Sequence, residues 1–502
     1  MKGGRPCGYG HVGLSKARCK KSTSPDSDSD GGHLRIASVH SAKHGHGMFT
    51  VLAPTKLYRP STFPPAPMGR PLTTEAARLA ARWVRMIGQE SIETCYFSGH
   101  STVYRSLPAR IGGDAILDAA ATYTVDCHDA FMSRSDFHEK SAHASGIKAM
   151  QSMRSALARS EQQTDSVLIA TMCLKTSEYI RGIYTYNFQY HALATARILK
   201  ARWRAGCWGG LERHLLWTCL VEEMLEAIHT GTLSELDDSS RVEASKHPSL
   251  QDPGDLDSAF GLLAEQLIRV PRLACLLRHV SSGSGPSVVI ATLEAAKLAR
   301  DVYKHVCDSA KLLAGLNYMA TDSEHCPSKE TPLSTYIDYP SVQAFTLAII
   351  QSMAQMLICG IILRLLDQSP ISLAHLFDAV KVQEEETQAA STIVMSLEYA
   401  FRPRPAPPWM LLRIMTPLTL ACASWERLER KLQVSASGTP CPAAHATRMR
   451  IVCTQMLENI MVQWRTSGGD MLAYAKRLSE ASLGGPLMLW MSRGGNRYTE
   501  YI

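Results

Sequence analysis

The chain has 502 residues, 45% hydrophobic and 20% charged, a composition that excludes disorder throughout and suffices to bury at least one large core. Its formal net charge of +7 is concentrated in residues 1–70, which hold eleven Lys or Arg against three Asp, so any attraction to phosphates belongs to that N-terminal part. The fourteen cysteines include no Cys-x-x-Cys pair, which is typical of reduced thiols rather than of a disulfide framework.

Residues 11–70 are predicted to form a disordered basic and Pro-rich linker. They contain a basic stretch from Lys16 to Lys21, a Ser/Asp tract from Ser24 to Asp30 and a Pro cluster from Pro64 to Pro67. Few large apolar residues are present there to offset the loss of chain entropy on folding. A His-rich patch at 40–46 lacks cysteines or carboxylates at matching spacing, so a solvated tract is favoured over a metal site.

From Leu72 onward the apolar residues follow a helical period, and no convincing strand pattern is found. The predicted fold class is all-α, an irregular multi-helix array over 71–485 with a disordered N-terminal arm and a tail at 486–502. Pro286 marks the start of one helix, because proline is favoured in the first helical turn. Helices are predicted near 114–132, 142–157, 165–181, 186–203, 211–228, 256–268, 286–313, 373–400, 408–432, 445–466 and 470–483.

The helix at 142–157 illustrates the pattern. Its apolar residues recur at intervals of three or four and predict one buried stripe. The residues of that stripe are Ala142, Gly146, Met150, Met153 and Leu157.

The segment from Val342 to Leu366 is long enough to span a bilayer. Gln343, Gln351 and Arg364 interrupt it, and each polar group would have to be satisfied inside lipid. The segment is therefore predicted to be a buried core helix, and no membrane association is expected.

The opening residues carry a resemblance to a known family. Gly3-Gly4-Arg5-Pro6-Cys7-Gly8-Tyr9 resembles the end of the fungal binuclear zinc-cluster motif, in which six cysteines share two zinc ions. The resemblance implies that residues 1–10 are the remnant of a DNA-binding domain and that Cys7 is the sixth zinc ligand.

A second resemblance extends over about a hundred residues, from Leu107 to Trp208. Leu107-Pro108, Leu117-Asp118-Ala119-Ala120, Leu174 to Tyr179 and Tyr190 to Ala196 follow the order of motifs in the regulatory middle region of fungal-specific transcription factors. The Tyr-Gly-x-Ala-Leu-like motif of that family appears as Ala144 to Met150 and lacks the tyrosine.

This resemblance implies a fungal regulator of RNA polymerase II transcription in the nucleus, specific for a secondary-metabolism or nutrient-use gene cluster. The partners that it implies are DNA, the transcription machinery and a second copy in a homodimer, and no enzymatic activity is expected. Asp118, Glu178 and His191 lie beside apolar helical neighbours, so they are interpreted as residues that cap or link helices rather than perform chemistry. The alternative for His191 is the sensing of a ligand.

The chain departs from the family at the zinc cluster. It offers Cys7 and Cys19, and the next cysteine is Cys95, so its thiolates cannot close two tetrahedral zinc sites. Zinc is therefore not expected to bind the chain as given. Either the cluster is truncated or this member has lost its DNA reader, and truncation is favoured.

The basic stretch after Cys7 is a candidate for weak, salt-sensitive contacts with phosphates. The residues that would make these contacts are Lys16, Arg18, Lys20 and Lys21. A nuclear-import signal or a solvated linker is the favoured interpretation of the same residues.

Two rival functions stay open. One is a helical protein-interaction scaffold that does not bind DNA. The other is an all-α isoprenoid-type enzyme, suggested by Asp126-Cys127-His128-Asp129 and Leu236-Asp237-Asp238-Ser239, although neither pattern supplies the facing carboxylates that hold magnesium around a diphosphate. No catalytic or cofactor-binding residue is predicted.

Overall fold

The computed structural model describes twelve stretches of the chain, all within the compact unit 70–502. They are residues 74–87, 101–159, 164–181, 187–207, 209–237, 256–314, 319–322, 335–369, 373–401, 408–435, 441–463 and 476–486. The predicted zinc-cluster remnant at 1–10 and linker at 11–70 lie outside them, as does nearly all of the predicted tail.

The described part of the chain is built almost entirely of helices, which confirms the predicted all-α multi-helix array. In its first half the helices are α1 Glu75–Ile87, α2 Ser101–Ser106, α3 Ala115–Ser133, α4 Asp136–Ala158, α5 Asp165–Arg181, α6 Asn187–Arg204 and α7 Gly210–Thr230. In its second half they are α8 Leu256–Ser282, α9 Pro286–Ala314, α10 Val342–Gln368, α11 Ala379–Met395, α12 Leu397–Phe401, α13 Pro408–Ser435 and α14 Cys441–Gln463. A further helical stretch occupies 476–482.

Local sequence signals set several helix ends. Asp114 caps α3 by accepting a hydrogen bond from the backbone N–H of Ile116 at 2.8 Å, and Asp378 caps α11 in the same way through Val380 at 3.0 Å. These carboxylates satisfy donors that would otherwise lack a partner in the first helical turn. Helix α9 begins at Pro286, as predicted.

Successive helices pack on one another along the chain. Helix α3 contacts α4 and α5, and the series continues through α6, α7, α8, α9 and α10. Helix α10 lies at the centre of the second half, where it contacts α8, α9, α11 and α13. One continuous cluster of buried apolar side chains runs through these contacts.

Helix α10 is long and apolar enough to cross a membrane by length and composition, but 78% of its most apolar window is buried inside the protein. This burial agrees with the prediction of a core helix. Its polar residues are accommodated by neighbours: Gln351 donates to the carbonyl of Val306 at 2.7 Å and accepts from the hydroxyl of Ser309 at 2.7 Å. A buried amide that keeps its hydrogen bonds avoids the cost of desolvation.

A short antiparallel pair of strands, β1 Met319–Asp322 and β2 Thr335–Asp338, was not predicted. With four residues in each strand, the alternation of polar and apolar side chains is too brief to identify from sequence.

The helix predicted at 256–268 is longer than expected, because α8 continues through Pro271 to Ser282. Proline within a helix normally removes a hydrogen bond and favours a break. Leu273, Ala274 and Leu277 are fully buried beyond it, so tertiary packing holds the helix together.

Candidate functional site

The residues predicted to bind zinc or phosphate all lie outside the described residues. They are Cys7, Lys16, Arg18, Lys20 and Lys21. The zinc and nucleic-acid interpretations therefore stay predictions, and the candidate site within the described part is the set of motif residues on α3 to α6.

Asp118 lies in the first turn of α3 and accepts a hydrogen bond from the backbone N–H of Gly112 at 2.8 Å. Gly112 adopts a positive φ of 91°, and a Cβ there would lie 2.9 Å from the Cβ of Ala76 in α1. Asp118 thus fixes the turn that enters α3, which agrees with its interpretation as a structural residue.

Glu178 lies at the centre of a polar cluster between helices, here called the Glu178 cluster, which comprises Tyr123, Glu178, Arg181 and His191. The Tyr123 hydroxyl of α3 donates to the Glu178 carboxylate of α5 at 2.6 Å and accepts from the Arg181 guanidinium at 3.1 Å. His191 of α6 lies within electrostatic range of Glu178. Hydrogen bonds of the cluster thus link α3 to α5, and His191 of α6 interacts with the same carboxylate electrostatically.

The surroundings of the Glu178 cluster shift the pKa values of three of its side chains. Burial raises the pKa of Tyr123, and the nearby Cys127 and Glu178 raise it further, so the phenol stays protonated as a donor. Burial opposes the charge on Arg181, but Tyr123 and Glu178 outweigh it and the net pKa is raised. Burial lowers the pKa of His191, and Glu178 partly offsets that effect.

Sequence reasoning identified Glu178 and His191 but missed Tyr123 and Arg181. Two signals could have found them. Tyr123 is a large polar side chain within an Ala-rich, otherwise apolar helix, so it needs a buried partner. Arg181 follows Glu178 by three residues and therefore shares its helix face.

Gly146 of α4 packs directly against the Tyr123 ring. A Cβ at position 146 would lie 2.8 Å from Cε2 of Tyr123, and this ring is buried and held by its hydroxyl. We expect Gly146→Ala to destabilise the protein by about 1–2 kcal/mol, because overpacking outweighs the better helix propensity of alanine. Urea denaturation followed by circular dichroism measures the change.

The matched control for Gly146→Ala is Gly210→Ala at the start of α7, where nothing lies within 4 Å of the added Cβ. That variant is expected to be neutral or slightly more stable. Equal stability of the two variants would show that Gly146 is not required for the approach of α4 to α3.

The other side of α5 carries a second buried pair. Lys175 lies 3.5 Å from the Glu222 carboxylate of α7, and the Tyr179 hydroxyl donates to the same carboxylate at 2.8 Å. The Lys175 ammonium also faces the Tyr179 ring, 5.8 Å from its centroid. Helix α5 is thus tied by charged groups to α3 on one side and α7 on the other.

A second polar cluster, which sequence reasoning did not identify, lies between α11 and α13. Glu386 is 1% exposed and forms an ion pair with Arg427, which also donates to the hydroxyls of Ser424 and Ser479. Gln383 donates to the second carboxylate oxygen of Glu386 at 3.0 Å. The carboxylate is thus both paired and hydrogen-bonded, as buried charges require.

His229, in the last turn of α7, is almost fully buried, and burial lowers its pKa to about 4. In the unfolded chain a histidine has a pKa near 6.5, so between about pH 6.5 and 4 the unfolded state binds a proton that the folded state does not. We expect stability to fall as the pH drops through this window, with a contribution from His229 of about 2 kcal/mol at pH 5. Urea denaturation at pH 7 and pH 5 measures the change.

The variant His229→Gln should make stability less dependent on pH between 7 and 5. The matched control is His143→Gln on the exposed face of α4. If both variants show the same pH dependence as the parent chain, His229 does not titrate in this window.

Three of the four carboxylates that suggested an enzyme form ion pairs with arginines of the protein itself. Arg82 of α1 lies 2.7 Å from both Asp126 and Asp129. Arg272 of α8 lies 2.9 Å from Asp237, while Asp238 falls outside the described residues. The first pair links α1 to α3, and the second links α8 to the loop that follows α7.

Among the residues that the structure describes, no group of three or more His, Cys, Asp or Glu side chains could hold a metal ion. Comparison of the chain with protein-family models, with curated proteins and with solved structures found no match. The resemblance to fungal transcription factors thus rests on the motifs themselves.

Proposed function

We propose that this chain is the all-helical regulatory body of a fungal zinc-cluster-type regulator of RNA polymerase II transcription. The observation that supports the proposal is that residues of three successive motifs are linked through one tyrosine of α3. Gly146 of α4 packs on Tyr123 of α3, Tyr123 binds Glu178 of α5, and His191 of α6 interacts electrostatically with Glu178. Residues of three motifs, Gly146, Glu178 and His191, are thus linked through a tyrosine that lies three residues after the Leu117 to Ala120 motif of α3.

The proposal extends to DNA and the transcription machinery as partners, to a homodimer and to the nucleus as the site of action. Zinc would be held by an intact cluster that includes Cys7, with two ions among six cysteines. Control of a secondary-metabolism or nutrient-use gene cluster is what kinship with this family implies. The basic residues near Lys16 would add non-specific phosphate contacts.

The regulatory role is tested by fusing the full chain to a heterologous DNA-binding domain in a fungal cell. We expect the fusion to accumulate in the nucleus and to change the transcription of a reporter relative to the DNA-binding domain alone. Failure of both readouts, at a normal protein level, would overturn the regulatory proposal.

The same reporter experiment also tests whether the Glu178 cluster takes part in regulation. Glu178→Gln keeps the shape of the side chain but removes the charge near Arg181 and His191, so we expect a weaker reporter response at unchanged protein level. The matched control is Glu480→Gln, at an exposed position. Equal responses of the two variants would remove the cluster from the regulatory mechanism.

The zinc-cluster part is tested in genomic and transcript sequence upstream of the codon for Met1. We expect an in-frame segment that encodes five further cysteines, with a Cys-x-x-Cys pair followed by a Lys/Arg-rich stretch. A transcript without such a segment would favour a helical scaffold that has lost its DNA reader.

One observation favours that scaffold as the second candidate. Val289, Ile290 and Leu293 on α9 are 59–65% exposed and share one face of the helix, which is typical of a partner-binding surface. A scaffold would bind a protein partner in a manner sensitive to Leu293→Glu and would leave the tethered reporter unchanged.

A further inference from the structure

Residues 476–486, here called the C-terminal clasp, pack against α8, α10 and α13 in the second half of the described chain. Leu478 and Ala481 of the clasp are fully buried. Gly484 has a positive φ of 76°, and a Cβ there would lie 2.8 Å from the backbone nitrogen of Arg278 in α8. The clasp is therefore closely fitted against α8.

Two arginines hold the clasp by polar contacts. Arg278 donates to the backbone carbonyls of Ala481 at 3.3 Å and Gly485 at 3.1 Å. Arg427 of α13 donates to the hydroxyl of Ser479 at 2.8 Å. Because the clasp is short and its described apolar contacts come mainly from Leu478 and Ala481, it can open at a lower free energy than the whole fold.

The sequence at the start of the clasp is Lys476-Arg477-Leu478-Ser479. Basic residues two and three positions before a serine are the pattern that basophilic serine/threonine protein kinases prefer. Both basic side chains are exposed, whereas Ser479 is only 8% exposed. The residues that a kinase would recognise are accessible, and the acceptor hydroxyl becomes accessible when the clasp opens.

We propose that Ser479 is a phosphorylation site for a basophilic protein kinase and that its modification holds the clasp open. In the transfer, a base of the kinase takes the proton of the Ser479 hydroxyl and Oγ forms a bond to the γ-phosphorus of ATP. The bond from that phosphorus to the bridging oxygen breaks, and ADP leaves. The switch does not depend on the regulatory role proposed above.

Space and charge explain why the phosphorylated clasp cannot close. The crevice beside Ser479, lined in part by Ser424, Arg427 and Ser482, has a volume of about 10 Å³, which is room for about one water. A phosphoryl group brings three further oxygens and up to two negative charges at neutral pH. Arg427 is already paired with the buried Glu386, so the new charge would meet a carboxylate at the same cation.

The site is tested on the purified full chain with the catalytic subunit of a cAMP-dependent protein kinase and ATP, and phosphorylated positions are mapped by mass spectrometry. We expect phosphate on Ser479, its loss in Ser479→Ala and its persistence in Ser482→Ala, which alters a serine of the same clasp without basic residues at the matching positions. A peptide of residues 473–485 serves as the freely accessible substrate. Absence of phosphate from the peptide would overturn the proposal that a basophilic kinase recognises the sequence around Ser479.

A second variant tests whether the clasp must open before Ser479 is phosphorylated. Arg278→Met removes two bonds to the clasp but leaves Lys476 to Ser479 intact, so phosphorylation of Ser479 should be about tenfold faster, since its rate follows the open population. A rate equal to that of the parent chain would overturn the role of the clasp in protecting Ser479. No phosphate on Ser479 in either chain, despite a phosphorylated peptide, would overturn the site itself.

The consequence of modification is measured by amide hydrogen exchange on the phosphorylated and unphosphorylated full chain. We expect the amides of 478–485 to exchange about tenfold faster or more after phosphorylation, with little change in α3 to α6. Unchanged exchange in the clasp would show that the closed state accommodates phosphorylated Ser479. The proposal that phosphorylation holds the clasp open would then be wrong.

Discussion

Replacing Arg427 by methionine is expected to destabilise the protein by about 3 kcal/mol, the largest effect of any single charged residue considered. The substitution leaves the Glu386 carboxylate buried without its cation, and it also removes a hydrogen bond to Ser479. The free energy of unfolding, from urea denaturation followed by circular dichroism, measures the change.

The control for Arg427→Met lies one turn away on the same helix. Arg430 is mostly exposed and lies 3.7 Å from Glu426, so Arg430→Met should change stability by no more than about 0.5 kcal/mol. Combining Arg427→Met with Glu386→Leu should recover much of the loss, because no buried charge then remains. Equal effects of the two arginine substitutions would contradict the assigned role of Glu386.

The second large effect is expected at the centre of α10. Ile361 is fully buried there, so Ile361→Ala should cost about 3 kcal/mol through lost burial and the cavity that remains. The measurement is the same urea denaturation, in detergent-free solution. It tests directly whether α10 is a core helix of the folded chain.

Leu293 on the exposed face of α9 provides the matched control. It is also an apolar residue within a long helix, but Leu293→Ala removes little buried surface and should stay within about 0.5 kcal/mol of the parent chain. If Ile361→Ala were equally mild, α10 would not be packed in the core.

The helices could be predicted because apolar residues recur at helical spacing over long segments of the sequence. The buried stripe of α4 shows the limit of that method. Ala142, Gly146 and Met153 were placed correctly on the buried face and Met150 is half-buried, whereas Leu157 is exposed. The structure also buries Ala149 and Ala156, which were not predicted. The prediction chose the larger apolar residues Met150 and Leu157. The buried stripe follows the 3.6-residue period through the neighbouring alanines, whose small side chains allow close helix packing.

The buried acid of the second polar cluster could have been found from sequence. Three glutamates follow one another at 384–386, and only Glu386 is buried. It occurs four residues after Val382 and three before Ala389, so it lies on the apolar stripe of α11. A charged residue on such a stripe predicts a buried partner on another helix, but not which one.

The identity of such partners could not be predicted, because it depends on how distant helices meet. Arg427 is one of several arginines in the sequence of α13, and nothing local distinguishes it from Arg430. The same holds for the Tyr123–Glu178 contact, whose residues are 55 positions apart. Sequence motifs identified Glu178, and the packing of α3 on α5 shows that Tyr123 is its partner.

The bond between Arg278 and the carbonyl of Gly485 joins residues 207 positions apart, whereas most of the helix contacts join neighbours along the chain. During synthesis, helices α3 to α7 can therefore assemble soon after each leaves the ribosome. The acceptors of Arg278 in the clasp are synthesised about 10 to 40 s later at ordinary elongation rates, whereas the carbonyl of Ile228 is already present. In that interval the part of α8 around Leu277 and Arg278 that the clasp covers is exposed, so a nascent chain that ends before residue 476 would expose surface that chaperones recognise.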